Sequence, residues 1–327
     1  MVSKLDLHRK KAENCVRCRN AEERKAHQDA DGYCQLVDPS DHVGVRCVGE
    51  WGADKVVFIS TYMDITGKAM KYKFPNYYYI EICSGPGRCV DYRKGEEFDG
   101  TALAALTTEG AEYYTKLFFF DLNPKTVENL RLRIDESMDI PQEVKDRTVV
   151  SVGDYSDPNS IISVLKTHIP NNMRGLNVVF LDPTDMSVPF DLYQALMDFG
   201  KRTDFIINFA DGTDLRRNIT LAFEKPDSPV HLKYMKVLEV SDFFNDPVNI
   251  EYGHKGNYPK LTEKFENTFI QSFKKRGFEH IHEKRIKRYY KLLFFSTNEK
   301  GVKFWKQASN RNAAERENGQ LVLFQEN

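Results

Sequence analysis

The residues best able to do chemistry fall at the ends of short apolar runs. Glu81-Ile82-Cys83-Ser84-Gly85-Pro86-Gly87 closes one run with an acid and two glycines at alternate positions. Glycines lack a Cβ and let backbone amides approach a ligand closely, Ser84 offers a hydroxyl beside them, and the acid suits a ligand ammonium. The dinucleotide form of this turn needs a further glycine at position 90, which is Val90, so NAD and FAD are disfavoured. No Gly-Lys-Ser/Thr follows, which excludes a Walker phosphate loop. Asp121 ends a second run, where a carboxylate accepts both hydroxyls of a ribose or else complements the helix that starts near Pro124. Asp154 ends a third; it can accept from an adenine amino group or serve Gly153-Asp154-Tyr155 as a turn residue, with Tyr155 available to stack on adenine. Asp182-Pro183-Thr184-Asp185 ends a fourth. Asp182 is the leading polar group for a reacting centre, and Asp185 is a second base or a solvated loop acid. Asn208 ends a fifth run at the same rim.

A second group of reactive residues lies near the N-terminus. Cys15, Cys18, Cys34 and Cys47 account for four of the six cysteines. Cys15-Val-Arg-Cys18 has the spacing that lets two thiolates grip one tetrahedral metal. Cys34 and Cys47 are farther apart, and His27 and His42 are alternative ligands. The segment is polar and poor in core residues, so a zinc ion would supply folding free energy that it lacks. The alternative is free thiols on a solvated arm. Cys83 and Cys89 are six positions apart and read as a redox pair or, more commonly, as buried inert thiols.

The elements that must position these residues alternate. Tyr77 to Cys83, Lys116 to Asp121, Thr148 to Val152, Leu176 to Leu181 and Asp204 to Phe209 read as short buried strands. Between them, Pro124 to about Asp135, Pro158 to about His168 and Phe190 to Gly200 read as helices, the first with Asn123 as N-cap. Continuously apolar strands alternating with helices predict a parallel sheet covered on both faces. In such a sheet ligands bind outside the carboxyl ends of the strands, where the candidate residues fall. The chain then closes with a helix from Leu261 to about Arg276 and two strands, Phe278 to Ile286 and Tyr289 to Ser296, joined by a tight hairpin, so the last strand runs antiparallel. The expected fold class is therefore α/β: a Rossmann-like seven-stranded class I methyltransferase sheet with an antiparallel last strand, plus a small Cys-rich N-terminal module. The expected division is 1–47 for that segment, 48–309 for the Rossmann-like domain and 310–327 for a polar tail. The donor for such a fold is S-adenosylmethionine.

Composition narrows the rest. With 327 residues, 41% hydrophobic and 29% charged, wholesale disorder is excluded. Lys+Arg 47 against Asp+Glu 48 argues against a general nucleic-acid coat protein but leaves a local basic face open. Lys274-Lys275-Arg276 and Lys284-Arg285-Ile286-Lys287-Arg288 with Tyr289-Tyr290 form such a patch, readable as a nucleic-acid face or as a charged edge hairpin. No apolar run approaches a membrane span and the first residues carry no apolar signal region, so a cytoplasmic protein without a membrane partner is expected. The charged stretch from Arg88 to Gly100 reads as a loop over the pocket.

The motifs taken together resemble one family. Val48-Gly49-Glu50-Trp51 followed by Lys55, then Tyr79 to Arg88, Gly100-Thr101-Ala102-Leu103-Ala104-Ala105-Leu106, Phe180-Leu181-Asp182-Pro183, Ile206-Ile207-Asn208-Phe209, Tyr290 to Ser296 and Gly301 to Trp305 are similar in order and spacing to the three-Cys-motif partner proteins. The resemblance spans roughly Val48 to Trp305 and implies a Rossmann-like methyltransferase fold. The family name also implies a separate partner, a three-cysteine protein like a radical enzyme. Cys83-Ser84 before Gly-Pro-Gly, Asp185 in place of a glycine and the cysteine-rich start depart from the family pattern. The expectation is an S-adenosylmethionine-dependent methyltransferase acting on a nucleic acid or modified nucleotide. The donor would lie across Glu81, Ser84, Gly85, Gly87, Asp121, Asp154 and Tyr155, with transfer near Asp182, Asn208 and Asp185. Asp182-Pro183-Thr184-Asp185 lacks the second proline and the aromatic of amino-methyltransferases, which favours a non-catalytic or accessory partner, in a defence or mobile-element setting, as the alternative.

Overall fold

The computed structural model describes residues 9–49, 51–71, 73–169, 175–240 and 242–318, with side chains to residue 310. The N-terminal residues read as lacking a signal, Glu50 of the family-like motif and the end of the polar tail lie outside the described residues. The strands are β1 (Lys10–Lys11), β2 (Arg46–Val48), β3 (Tyr77–Ile82), β4 (Arg88–Asp91), β5 (Glu96–Asp99), β6 (Lys116–Asp121), β7 (Thr148–Val152), β8 (Leu176–Leu181), β9 (Thr203–Phe209), β10 (His280–Ile286) and β11 (Tyr290–Ser296). The helices are α1 (Ala21–Ala26), α2 (Trp51–Met70), α3 (Thr101–Leu106), α4 (Pro124–Glu136), α5 (Gln142–Lys145), α6 (Pro158–His168), α7 (Phe190–Phe199), α8 (Arg216–Glu224), α9 (Pro229–Leu238), α10 (Asp242–Asn245), α11 (Pro247–His254), α12 (Tyr258–Lys274) and α13 (Glu299–Asn318).

Seven strands form the main sheet in the order β7-β6-β3-β8-β9-β11-β10. The pairs from β7 to β9 are parallel, and β11 runs antiparallel to both of its neighbours. Numbered along the chain, this is 3-2-1-4-5-7-6, the strand order of the class I methyltransferase sheet that the sequence predicts. The order reverses between β3 and β8, so a crevice opens beside their carboxyl ends.

The local reasons are plain in the sequence. All six residues of β3 are buried, as are five of the six in β6 and in β8. Such strands can only sit inside a two-sided sandwich, and each buried phenylalanine of the β6 run contributes about 1.5–3 kcal/mol. Tyr78, Ile80 and Ile82 face one core with residues of α6, α7, α8, α9 and α12. Tyr77 and Tyr79 face the other with residues of α2, α3, α4, α5 and α13. Several helices start with a capping side chain followed by proline: Asn123-Pro124, Asp157-Pro158, Ser228-Pro229 and Asp246-Pro247. Residues 310–318, expected in a polar tail, continue α13.

The charged stretch after Gly87 is a β-hairpin, not a loop. β4 and β5 pair with each other and with two strands from the N-terminal chain, in the order β1-β5-β4-β2. A small core of Ala12, Val37, Val45 and Val90 lies under this sheet. The sheet therefore crosses the boundary at residue 47 expected from the sequence. The N-terminal chain is also pinned to the main domain. The buried guanidinium of Arg133 on α4 pairs with Asp41 and donates to the carbonyls of Val43, Gly44 and Pro86. Asp41 also takes Arg88.

Candidate active site

The carboxyl ends of β3, β6 and β8 open onto a cavity of about 250 Å³. Its wall includes Ser84, Gly85, Gly87, Asp121, Tyr155 and Asp182 from the sequence-selected set, and Arg46, Lys55, Cys83, Cys89 and Thr101 from outside it.

The turn after β3 forms the floor. Cys83, Gly85 and Gly87 all have positive φ, at 66°, 67° and 87°. A Cβ placed on Gly85 would meet nothing within 4 Å, whereas one on Gly87 would stand 2.9 Å from Leu130 Cδ1 and 3.1 Å from Leu103 Cγ. Gly85 thus leaves room on the cavity side, while Gly87 is required by packing against α3 and α4. The Ser84 hydroxyl is buried and lacks a hydrogen-bond partner within the protein. Asp121 holds the turn: Oδ2 accepts from the Gly85 amide at 3.1 Å and Oδ1 from the Asn123 amide at 3.1 Å. Each oxygen keeps acceptor capacity toward the cavity, as a ribose role requires.

At the other end of the cavity, the Lys55 ammonium on α2 contacts Asp182 Oδ2, and Asn208 Nδ2 donates to Asp182 Oδ1 at 2.9 Å. Asn208 also donates to the Pro183 carbonyl at 3.0 Å, and its own carbonyl oxygen is buried without a partner. Burial pushes the Asp182 carboxyl above the usual range, while Lys55 and Asn208 oppose the shift. The geometry is a carboxylate held from two sides at the end of β8.

Three expected site residues are used elsewhere. Glu81 is fully buried beneath the turn, with Thr101 Oγ1 donating to Oε1 and the Tyr79 hydroxyl to Oε2 at 2.8 Å. Burial raises its pKa to about 8, which favours the protonated acid near neutral pH, and Glu81 is not part of the cavity wall. Alternation along β3 turns Glu81 to the α3 side with Tyr79. Asp154 Oδ1 accepts from the Ser156 amide and hydroxyl, both at 2.7 Å, which is the turn role foreseen as its alternative. Asp185 pairs with Lys233 at 3.1 Å and accepts from Ser187, outside the cavity wall. Tyr155 lines the cavity with its hydroxyl 2.8 Å from Ser187 Oγ.

The zinc expectation for Cys15, Cys18, Cys34 and Cys47 finds no support. Among the described residues no group of three or more His, Cys, Asp or Glu is arranged to hold a metal ion. The four thiols still act on one another: the interaction between Cys34 and Cys47 lowers Cys34 and raises Cys47, and burial with Cys34 and Cys15 raises Cys18. Cys15 and Cys34 pack on the small core that the sheet provides. His42 pairs with Asp38 at 2.9 Å. Cys83 and Cys89 are free thiols pushed upward by burial, Cys89 to about 11.

The basic hairpin spends much of its charge on the fold. Arg285 pairs with Asp211, Lys291 with Glu266 and Glu283, and Arg276 with Glu239. No described helix is long and apolar enough to cross a membrane.

Sequence reasoning missed Lys55 and Arg46. Lys55 stood in the family-like motif without a role, because a lone lysine on a helix reads as solvated. Arg46 lay one residue before a cysteine and carried no signal of its own.

No protein-family model and no curated protein matches the chain. Solved structures similar to it include an O-methyltransferase of tomaymycin synthesis from Streptomyces achromogenes in complex with SAM, 12% identical over 72% of this chain and 79% of that one, with a TM-score of 0.37. A Legionella pneumophila protein is 10% identical over 79% of this chain and 92% of that one, with a TM-score of 0.41. At these scores the likeness adds nothing to what the strand order establishes.

Proposed function

We propose that the chain is an S-adenosylmethionine-dependent methyltransferase. The observation that carries this reading is the cavity at the strand-order reversal of a class I sheet, with an open glycine turn at one end and a held carboxylate at the other. The residues fit the donor: the side of Gly85 is empty, the Ser84 hydroxyl on the cavity wall is buried without a partner, and Asp121 has acceptor capacity left. When bound, S-adenosylmethionine supplies a methyl group already activated on a sulfonium. The chain's own work is then mainly positioning. Gly85 and Ser84 would seat the amino-acid end, Asp121 the ribose hydroxyls and Tyr155 the face of the adenine.

Asp182 would orient an acceptor N–H or O–H along the transfer line. Lys55 and Asn208 would fix the carboxylate's direction and keep it ionised when the cavity is dry. A nucleic-acid acceptor draws no support from Arg276, Arg285 and Lys291, which are paired internally. A three-cysteine partner protein rests on the family-like motifs alone.

Calorimetry with S-adenosylmethionine and S-adenosylhomocysteine tests the donor site, followed by a labelled-methyl assay against RNA, DNA and protein. Micromolar binding corresponds to about 8 kcal/mol. Gly85→Val should weaken it at least about 10-fold by filling the open side of the turn and straining a backbone held at φ 67°, and its binding is read on protein whose melting curve shows it folded. Gly87→Val should instead lower the melting temperature, because its side chain meets Leu130 and Leu103. Absence of binding by the parent, or equal binding by folded Gly85→Val, would count against the reading.

A further inference from the structure

One cation on the cavity wall has no carboxylate paired with it among the described residues. Arg46 is the first residue of β2 and belongs to the N-terminal chain, outside the seven-stranded sheet. It reaches the cavity because β2 lies parallel to β4, with Arg46 opposite Cys89. Its guanidinium lies over the Tyr33 ring, 5.5 Å from the centroid. Nη2 donates to Thr126 Oγ1 at 3.0 Å, and the Tyr33 hydroxyl meets the same oxygen at 2.8 Å.

That arrangement holds the guanidinium over the ring and uses one of its five N–H donors. The neighbouring Arg88 and Arg133 are both paired with Asp41. Among the described residues no carboxylate pairs with Arg46. A half-buried guanidinium that is stacked, oriented and left with unspent donors is prepared for an anion with a planar fork of oxygens.

We propose that Arg46 forms a carboxylate subsite that holds the α-carboxylate of the methyl donor, so that the N-terminal chain completes the donor pocket. The inference rests on the donor reading above. The wall also carries Asp121 and Asp182, so a doubly charged phosphate would be repelled from the sides. A zwitterion with positive centres and a single carboxylate matches acids and one arginine on the same wall. Stacking on Tyr33 and the bond to Thr126 make Arg46 pre-organised, so little side-chain entropy is lost when the carboxylate binds.

The test compares S-adenosylmethionine with its decarboxylated analogue on the full chain by calorimetry. The parent should bind the decarboxylated compound about 10- to 100-fold more weakly, the loss expected for a charged hydrogen bond. Arg46→Met should weaken S-adenosylmethionine by a similar factor and leave the decarboxylated compound unchanged. Arg46→Lys should recover part of the difference, since it keeps the charge and loses the fork. The comparison on the parent needs no variant, so misfolding of a substituted chain leaves that arm intact. If the parent binds both compounds equally, or Arg46→Met weakens both alike, the carboxylate role is overturned while the donor reading stands. If the parent binds neither compound, the donor reading falls and this inference falls with it.

Discussion

Removing the Lys55 ammonium should expose how much the held carboxylate depends on it. Lys55 and Asp182 keep only 15% and 13% of their side-chain surfaces exposed, so screening by water is weak. For two unit charges in direct contact at an effective dielectric of about 20, the attraction is roughly 5 kcal/mol before desolvation is counted. Deleting one partner of a buried pair costs about 3–5 kcal/mol, because the other charge is left uncompensated. In Lys55→Met, Asp182 keeps only Asn208. Burial already pushes its carboxyl upward, and loss of the cation pushes it further, so protonation becomes the cheaper response. The folded variant then holds a proton that the unfolded chain has released, and its stability falls as pH rises above the unfolded value. Urea unfolding followed by tryptophan fluorescence should show Lys55→Met less stable than the parent by about 3 kcal/mol at pH 7.5, and by about 1 kcal/mol at pH 5. Asp182→Asn combined with Lys55→Met should recover at least about 2 kcal/mol relative to the sum of the single changes. Additive single costs, or a Lys55→Met penalty independent of pH, would refute the idea that the two charges are one unit.

Two further outcomes follow from buried charge. Glu81 titrates near 8 in the folded chain because it is buried, so between about pH 4.5 and 8 unfolding releases its proton and parent stability falls as pH rises. Glu81→Gln should flatten that slope in urea unfolding; a variant with the parent's slope would argue against the neutral acid. Asp41 is half-buried, which alone would raise its carboxyl, but the hydrogen bond and charge of Arg133 hold it below the ordinary value, so its contribution is present above about pH 4 and is lost as pH falls through the folded value. Asp41→Asn leaves the Arg133 guanidinium, 2% exposed, without a counter-charge and should cost about 3 kcal/mol at pH 7 by urea unfolding, with a loss under about 1 kcal/mol speaking against it.

The seven-stranded sheet was legible because its signals are local. β3, β6 and β8 are short apolar runs, and cap-proline pairs such as Asn123-Pro124 mark where helices resume. The closing hairpin declares itself by two strands with Lys287 between them at φ 50°. Asp121 and Asp182 were legible for the same reason: a polar residue that ends a buried strand of an open sheet has little choice but to face the crevice. Glu81 shows where that logic stops. In a strand buried on both faces, hydrophobicity does not say which side a residue takes, and the pleat put Glu81 with Tyr79, against Thr101.

The remaining part of the site depends on pairings between distant segments. β2 is three residues long and carries no periodicity, yet its partner β4 lies some forty residues later, and that register alone brings Arg46 to the cavity. The cysteines drew attention to the same segment for a metal, not for its pairing with β4. The small core under the sheet and the Asp41–Arg133 pair hold it against α4 instead. Arg133 donates to the carbonyls of both Gly44, in the N-terminal chain, and Pro86, in the glycine turn, at 3.2 and 2.6 Å. One buried side chain thus ties the segment that carries Arg46 to the turn that carries Gly85. The pocket's polar wall and its open floor are set by the same contact, so loosening Asp41 should disturb ligand affinity even though Asp41 touches no ligand.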